Sequence, residues 1–562
     1  MSKAQTYLSV FYFLFLGAFL GANALESACV VKNDSGNFKI NSDCSGGWVA
    51  RADFDNFVNK TGWGYLSVET NDAYDDGDQS YAAGLVEGFI SKDLITMHWQ
   101  NTVAGQFCER PLNPGCEKLR NFLQNNLAWM QQQIKEKQND YWNMVRLFLI
   151  QVRGLTDGYF NKPGHASTDI DPFGLYVLSL SGDMEDIPNA MNPTRRPKVK
   201  GSGSCSALIK LLPGNKDLYV SHDTWDSYQS MLRVLKKYSF GFHLMSGDSV
   251  PGKVITMSSY PGVLLSGDDY YLISSGMASL ETTIGNSNPS LYKYVTSNTV
   301  LEGTRTMVAN RLGTNGKDWA TLFSQYNSGT YNNQWMVVDY RHFLPGFTPT
   351  KGLLTVLEQI PGSVVFDDQT DLLTKQTYWP SYNIAFYPEI FNKSGCWDNV
   401  QKYGDWFTYD KAPRAQIFKR DHGKVTDLKS MQALMRYNDF QHDPLARCNC
   451  TPPYSGENGI SARCDLNPAN GTYPFGALGH RSHGGTDMKL TNSEMFQRLE
   501  FIAISGPTYD QLPPFQWSKA DFAAACPHFG HPDIFQFQPV TFNGTLDKSY
   551  GSGRINVNLS VQ

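Results

Sequence analysis

Several familiar catalytic signatures are missing from this 562-residue chain. Without a Gly-x-Ser-x-Gly turn, the serine elbow of a standard α/β hydrolase is unsupported. A His-Glu-x-x-His pair is also absent, and with it the helix that holds zinc in many proteases. The glycine-rich pieces match neither phosphate-loop nor dinucleotide spacing, so no cofactor is expected. Charge of one sign is not in excess: 48 Lys and Arg against 53 Asp and Glu give a net charge of −5. Lacking a basic stripe, the chain lacks the counterion-release footprint of a nucleic-acid binder. There is no internal repeat and no long low-complexity tract. Past the first residues, no run is apolar enough to cross a bilayer. The short pairs His480/His483 and His528/His531 could ligate a metal, but they read as loop histidines, and no metal is expected.

What is present begins with a leader. Met1-Ser2-Lys3 precedes an apolar run from Tyr7 to Ala22, followed by Ala22-Asn23-Ala24. This reads as a signal peptide over residues 1–24, cut after Ala24; the run is shorter than the roughly 20 residues of a membrane span. Seven Asn-x-Ser/Thr sequons, at Asn33, Asn59, Asn392, Asn449, Asn470, Asn543 and Asn558, agree with secretory passage and an N-glycosylated product. Of ten cysteines, Cys29 with Cys44 and Cys108 with Cys116 are the local pairs to expect in an oxidising compartment. The Cys448, Cys450 and Cys464 cluster stays unassigned. If Cys205 is a free nucleophile, at least one further thiol is left unpaired.

Aromatic and hydrophobic content, 13% and 41%, suits a large core. Strand-like pieces such as residues 62–68 open the chain. A helix is expected from about Glu117 to Arg153, with a 3.6-type apolar stripe and Gly154 as its stop. Residues from about 182 to 204 lose all apolar period and read as an exposed linker. Beyond it come β-like segments at 218–220, 253–257, 270–273 and 335–340, with helices between them. That pattern predicts mixed sheets packed with helices. Residues from about 440 to 490, rich in Gly, Pro, Asn and His, read as a long surface-laid loop.

The linker ends on Arg195-Arg196-Pro197-Lys198-Val199-Lys200-Gly201-Ser202-Gly203-Ser204, and Cys205 follows. Cutting Ser204-Cys205 would give one residue both a thiol and a free α-amine, a nucleophile with its own base. The residues after it fold as a hairpin: strand 205–212, a turn at 213–216, and a return strand through Trp225. Turns of two or four residues place His222 on the face of Cys205; a three-residue turn brings up Asp223 and Trp225 instead. The plainer alternative is a buried small hydrophobe at 205 and a surface histidine at 222. Catalysis also sets a condition. A thiol near 8.5 and an α-amine at about 8 are both mostly protonated at roughly pH 5, so the site must lower the amine pKa or use a small active fraction. A protonated His222 would favour the thiolate, and Asp223 would oppose it.

Cys205 through Gly214, His222-Asp223-Thr224-Trp225, residues 258–262, Glu281-Thr282-Thr283-Ile284, residues 326–336, Asp465 through Gly471, and His483 through Met488 together resemble the phospholipase B-like (lysosomal, laminin-A-related) proteins. The resemblance covers most of the chain after the leader. It implies an α+β N-terminal nucleophile hydrolase fold, a four-layer αββα sandwich with helical and loop insertions. A precursor cleaved before Cys205 is also implied, with fragments 25–204 and 205–562 staying together as one globular unit. The activity implied is fatty-acyl removal from glycerophospholipids through a Cys205 thioester, in lysosomes or after secretion, with membrane-surface contact. By motif, Cys205 is the nucleophile and His222 and Trp225 belong to its pocket. Asn332 or Asn333 would donate to the oxyanion, with Thr282 and Thr283 as weaker candidates. Two other activities fit the sequence: an amidase acting on N-acyl or peptide bonds, and a lipid-binding glycoprotein without turnover. Where the family pattern has Ser in Ala-Arg-Ser-Asp-Leu-Asn-Pro, this chain has Cys464.

Overall fold

Alternating apolar strands on both sides of the 192–204 segment assemble into two main sheets in the computed structural model, which describes residues 25–105, 107–191 and 205–544. The leader, Ser204 with the basic run before it, and Asn558 lie outside the described residues. The larger sheet has eleven strands. Its middle is a parallel pair, Trp63–Thr70 beside Arg233–Ser239, so chain from before residue 192 and from after 204 shares one hydrogen-bonded ladder. The smaller sheet has seven strands and includes the strand opened by Cys205, Cys205–Leu211, and its return strand, Leu218–Ser227.

Apolar side chains explain how the sheets stack. Trp63 and Leu235 of the larger sheet share a buried cluster with Ile209 and Val220 of the smaller one. The other face of the larger sheet, with Leu66 and Val234, packs on the helices Asp76–Ile90 and Asp140–Tyr159. Leu208, Tyr219 and Met488 on the far face of the smaller sheet meet Ile417, Phe418 and Met431, carried by Pro413–Asp421 and Leu428–Met435. The fold is thus mixed α and β, as expected. Among the described residues no helix is long and apolar enough to cross a membrane.

Four expectations about elements need correction. The single helix from about 117 to 153 is two, Pro114–Glu136 and Asp140–Tyr159; Asn139 caps the second by accepting from the Trp142 backbone N–H. Gly154 is not a stop but lies inside that helix, where a Cβ would sit 2.1 Å from the Tyr81 carbonyl oxygen of the facing helix. The linker starts later than residue 182. Asp183–Glu185 and Ile187–Met191 are helical, and Asp183 and Asp186 are buried. Thr330 donates to Asp183, and the Tyr331 backbone N–H donates to Asp186 at 3.0 Å. Polarity in sequence does not reveal such buried partners.

The 440–490 region is likewise only partly a surface loop, since Ser455 through Cys464 are all buried. Asn438 donates to the carbonyls of Gly456 and Ser461, and Arg463 to those of Thr508 and Pro513, which supply the backbone bonds a regular element would have made. The disulfides Cys29–Cys44 and Cys108–Cys116 are formed as expected, and Cys448 pairs with Cys450. Cys205, Cys396, Cys464 and Cys526 are free thiols.

Candidate active site

Cys205 opens the strand Cys205–Leu211 and is 1% exposed. The hairpin adopts the four-residue-turn register, with Cys205 opposite Thr224 and Ala207 opposite His222. Residues two apart on a strand share a face, so His222 lies on the thiol's side and Asp223 on the other. Asp223 is therefore removed from the face of Cys205. Its burial, with Asp487 nearby, raises its pKa well above the carboxylate range.

The Sγ of Cys205, a ring nitrogen of His222 and a carboxylate oxygen of Glu281 lie within 4.8 Å of one another, all buried. Burial pushes the Cys205 thiol up, and the Glu281 charge adds to the push; Lys489 and the Trp225 backbone N–H work the other way. Burial holds His222 neutral, well below its ordinary pKa, with Lys489 adding to the effect. The expected support of a thiolate by a protonated His222 is thus unavailable physically. His222 Nε2 lies 2.9 Å from the Glu281 carbonyl oxygen, which makes that nitrogen the donor. Glu281 is itself raised by burial, then by Asp269 and Glu302, and it accepts from the Tyr331 hydroxyl at 3.2 Å.

Two groups far away in sequence hold the backbone of Cys205. Arg414 Nη1 donates to the Cys205 carbonyl at 2.7 Å, and its guanidinium lies 4.2 Å from the Trp225 ring centre. The Cys205 backbone nitrogen donates to Asn383 Oδ1 at 3.4 Å, while Asn383 Nδ2 donates to the Thr283 carbonyl at 2.6 Å. Asn383 has φ +69°, a left-handed conformation that Asn adopts more readily than most residues. Below the return strand, Thr224 donates to Asp268 at 2.8 Å, and Lys489 reaches Asp487 at 2.8 Å and Asp268 at 3.1 Å. Burial disfavours the Asp268 charge, but Arg233 and Lys489 outweigh it and keep the carboxyl ionised.

Cys205 faces a cavity of about 600 Å³, lined among others by Thr224, Trp225, Thr283, Asn383 and Tyr331, while His222, Glu281 and Arg414 lie behind its lining. Residues 181–185 contribute to it, and Gly182 lies so close that a Cβ there would meet the Tyr331 ring at 2.4 Å. Trp225 and Thr283 are among the lining residues, and Trp225 Nε1 donates to the Ile460 carbonyl at 3.1 Å. Asn332 and Asn333 are not among the lining residues. Asn332 donates instead to Asp186 and the Gly329 carbonyl, and Asn333 ends a strand opposite Thr283. Thr282 shares a 2.6 Å hydrogen bond with Ser381. Sequence reading missed Asn383, Arg414 and Glu281, although Glu281 stands beside the two threonines it selected.

Two clusters have the residue types of a metal site: Cys205 with His222 and Glu281, and Glu457 with Cys464 and His483. In the second, the Cys464 thiol donates to Glu457 Oε2 at 2.8 Å and Arg481 donates to the same oxygen at 2.9 Å, so internal pairing already accounts for its approach. Of the loop histidines, His528 stacks on Trp517 with ring centres 4.1 Å apart, and His480 pairs with Asp521 at 2.9 Å.

The phospholipase B family model matches residues 50–542. "Putative phospholipase B-like 2" of Homo sapiens is 52% identical over 503 residues, covering 88% of this chain and 85% of the human one. The protein of the same name from Bos taurus is 51% identical over 502 residues, with the same shares of 88% and 85%. "Phospholipase B-like protein B" of Dictyostelium discoideum is 37% identical over 506 residues, 88% of this chain and 85% of that one.

Proposed function

The chain belongs to the phospholipase B family, and from that membership we propose that it is a hydrolase that removes acyl chains from glycerophospholipids, with Cys205 as an N-terminal nucleophile. The observation that carries the reading is the position of Cys205. It starts its strand, faces a cavity and is held through both its backbone nitrogen and its carbonyl. The order of apolar clusters, with helices outside each of two stacked sheets, supports the four-layer αββα form of such hydrolases.

In this reading the precursor activates itself. Cys205 Sγ attacks the Ser204 carbonyl, the peptide C–N bond breaks and the nitrogen takes the thiol proton. Water then hydrolyses the thioester, freeing the Ser204 carboxylate and the Cys205 α-amine. In turnover the α-amine accepts the thiol proton and the thiolate attacks the acyl ester. An N–H of Asn383 donates to the developing oxyanion, and the protonated amine gives its proton to the departing alcohol. Water releases the fatty acid from the thioester. Raising the thiol pKa by burial is tolerable because the base sits on the same residue and needs no diffusing partner.

An aliphatic acyl group could extend from the Cys205 cavity into a neighbouring one. A second cavity of about 280 Å³, lined by Val103, Phe107, Val177, Leu178 and Met184 among others, shares Ser181, Met184 and Tyr260 with the first. Delivery through the secretory route to lysosomes or outside the cell completes the proposal. Its support is the leader together with the exposure of Asn33, Asn59, Asn392, Asn449 and Asn470; Asn543 is half-buried.

The test offers processed protein a matched acyl ester and acyl amide, traps the intermediate by acid quenching, and weighs the Cys205 peptide. The expected result is an acyl mass on Cys205 with faster turnover of the ester. Faster turnover of the amide would make the protein an amidase, and lipid binding without any acyl-enzyme would make it a binding protein.

A further inference from the structure

Leu344 and Phe347 are 60% and 64% exposed, and among the described residues no large hydrophobic side chain is more exposed than Phe347. They stand on the loop that joins the strands Asn333–Asp339 and Leu354–Ile360 of the larger sheet. The Phe347 N–H donates to the Leu344 carbonyl at 3.0 Å, which closes a turn over Leu344-Pro345-Gly346-Phe347. Gly346, at φ +83°, fills the third position, where a type II turn favours glycine. The ends of such a turn lie within about 7 Å of each other, so the two side chains form one apolar tip.

The tip is held in place. Its Gly346 N–H donates to the Asn215 carbonyl at 2.8 Å, which ties it to the turn of the Cys205 hairpin. At the base of the loop, the Thr350 N–H donates to the His342 carbonyl at 3.2 Å, and His342 Nδ1 shares a 2.9 Å bond with Thr350 Oγ1. Phe343 and Leu353 of the same loop are buried in the core between the sheets, so the loop separates its large apolar residues into an inner pair and an outer pair.

Size decides what can cover such a tip. Burying Phe347 removes roughly 150–250 Å² from water, and the smaller Leu344 adds no more than that. A specific protein complex, or a dimer of this chain, needs roughly 800 Å² from each partner. A lipid surface has no fixed shape and takes up two side chains without a matching pocket. The surroundings suit its polar zone, since Lys216, Thr348, Thr350 and Lys351 are all exposed. Two acids stand at the base of the loop: Asp368 accepts from the Gly352 N–H at 2.8 Å, and Asp371 lies 3.8 Å from Lys351. Asp217, beside Lys216 in sequence, is turned to Asn492 and Ser493. The attraction is therefore chiefly apolar, with Lys216 as the cation that can reach headgroup phosphates.

We propose that Leu344 and Phe347 insert into a lipid surface, with Lys216 at the level of its phosphates. The strand Cys205–Leu211, about 20 Å long, runs between the tip and Cys205. The contact is thus a tether that holds the protein to lipid, and not the mouth of the Cys205 cavity. It does not depend on which bond Cys205 cleaves.

Flotation of the purified protein with phosphatidylcholine vesicles, and with mixed phosphatidylcholine and phosphatidylserine vesicles, tests the tether. Wild type should float with both, and more strongly with the second. Leu344→Ser/Phe347→Ser should partition about tenfold or more weakly on both, with the thermal midpoint of wild type because both side chains are exposed. Lys216→Gln should weaken binding to the phosphatidylserine vesicles alone. Phe160→Ser, which removes another exposed aromatic, should float like wild type. Three results would overturn the tether: wild type floating with neither vesicle, the double Ser variant floating like wild type, or Phe160→Ser losing as much as that variant. A wild-type dimer in sedimentation velocity that the double Ser variant abolishes would also overturn it, by giving the tip to a second copy. Turnover of a water-soluble short-chain ester should be equal in wild type and the double Ser variant. If that ester is not turned over while flotation still depends on the tip, the tether stands and the ester reading falls.

Discussion

Cys205 keeps its thiol where ionisation is resisted by burial and by the Glu281 carboxylate. The two effects can be separated. Glu281→Gln removes the like charge and leaves the burial, so thiolate should form at lower pH. Site-resolved alkylation of the Cys205 peptide, followed across pH, should shift its midpoint toward acid in Glu281→Gln. An unmoved midpoint would mean that Glu281 is not ionised when the thiol titrates, and burial alone sets the thiol. Reading by peptide matters because Cys396, Cys464 and Cys526 are also free.

The sequence made part of this site legible. Period-two geometry offered Cys205 either His222 or Asp223 with Trp225; the register puts His222 on its face, yet Trp225, at the end of the return strand, still lines the cavity with Cys205. Asn383 and Arg414 were out of reach, because they stand 178 and 209 residues from Cys205, one just past a short strand and the other in the first turn of the helix Pro413–Asp421. Asn332 and Asn333 had the right side chain for an oxyanion donor. What directs the Asn332 amide to Asp186 is a segment that sequence polarity marked as linker.

At the scale of elements, the helices Asp76–Ile90 and Asp140–Tyr159 pack backbone against backbone. Gly84 and Gly88 on one and Gly154 and Gly158 on the other let backbones touch, and a Cβ at any of the four would fall 2.1 Å from a facing carbonyl oxygen. Two effects of opposite sign meet in Gly154→Ala. Ala improves helix propensity by about 1 kcal/mol, while overpacking of a close contact costs about 1–3 kcal/mol and here involves backbone that cannot rotate away. The clash should win, lowering stability by up to about 2 kcal/mol and the denaturation midpoint with it. A midpoint raised by the substitution would show that the helices separate freely. A glycine inside an apolar period reads as a stop from sequence, since only the partner helix reveals why no Cβ is allowed. The long helix was misjudged for a related reason: its apolar spacing runs through the break at residues 137–139, and the cap at Asn139 is a local hydrogen bond that periodicity does not register.

For the whole molecule, the question is what joins the chain across residues 192–204. Trp63–Thr70 and Arg233–Ser239 form seven parallel residue pairs there, and Trp63 packs in the same core as Ile209 and Val220. Such burial is cooperative and does not depend on a continuous backbone. Disulfides do not make the join: Cys29–Cys44 and Cys108–Cys116 lie before the segment and Cys448–Cys450 after it. A chain cut before Cys205 would therefore hold together in native buffer and come apart in detergent without reductant.

N-terminal sequencing of the larger band from a non-reducing denaturing gel, for wild type beside Cys205→Ala, tests the central claim most directly. Self-activation predicts two wild-type bands, the larger beginning at Cys205, and a single uncut Cys205→Ala chain. A ragged start upstream of Cys205, or a Cys205→Ala chain cut like wild type, would contradict it.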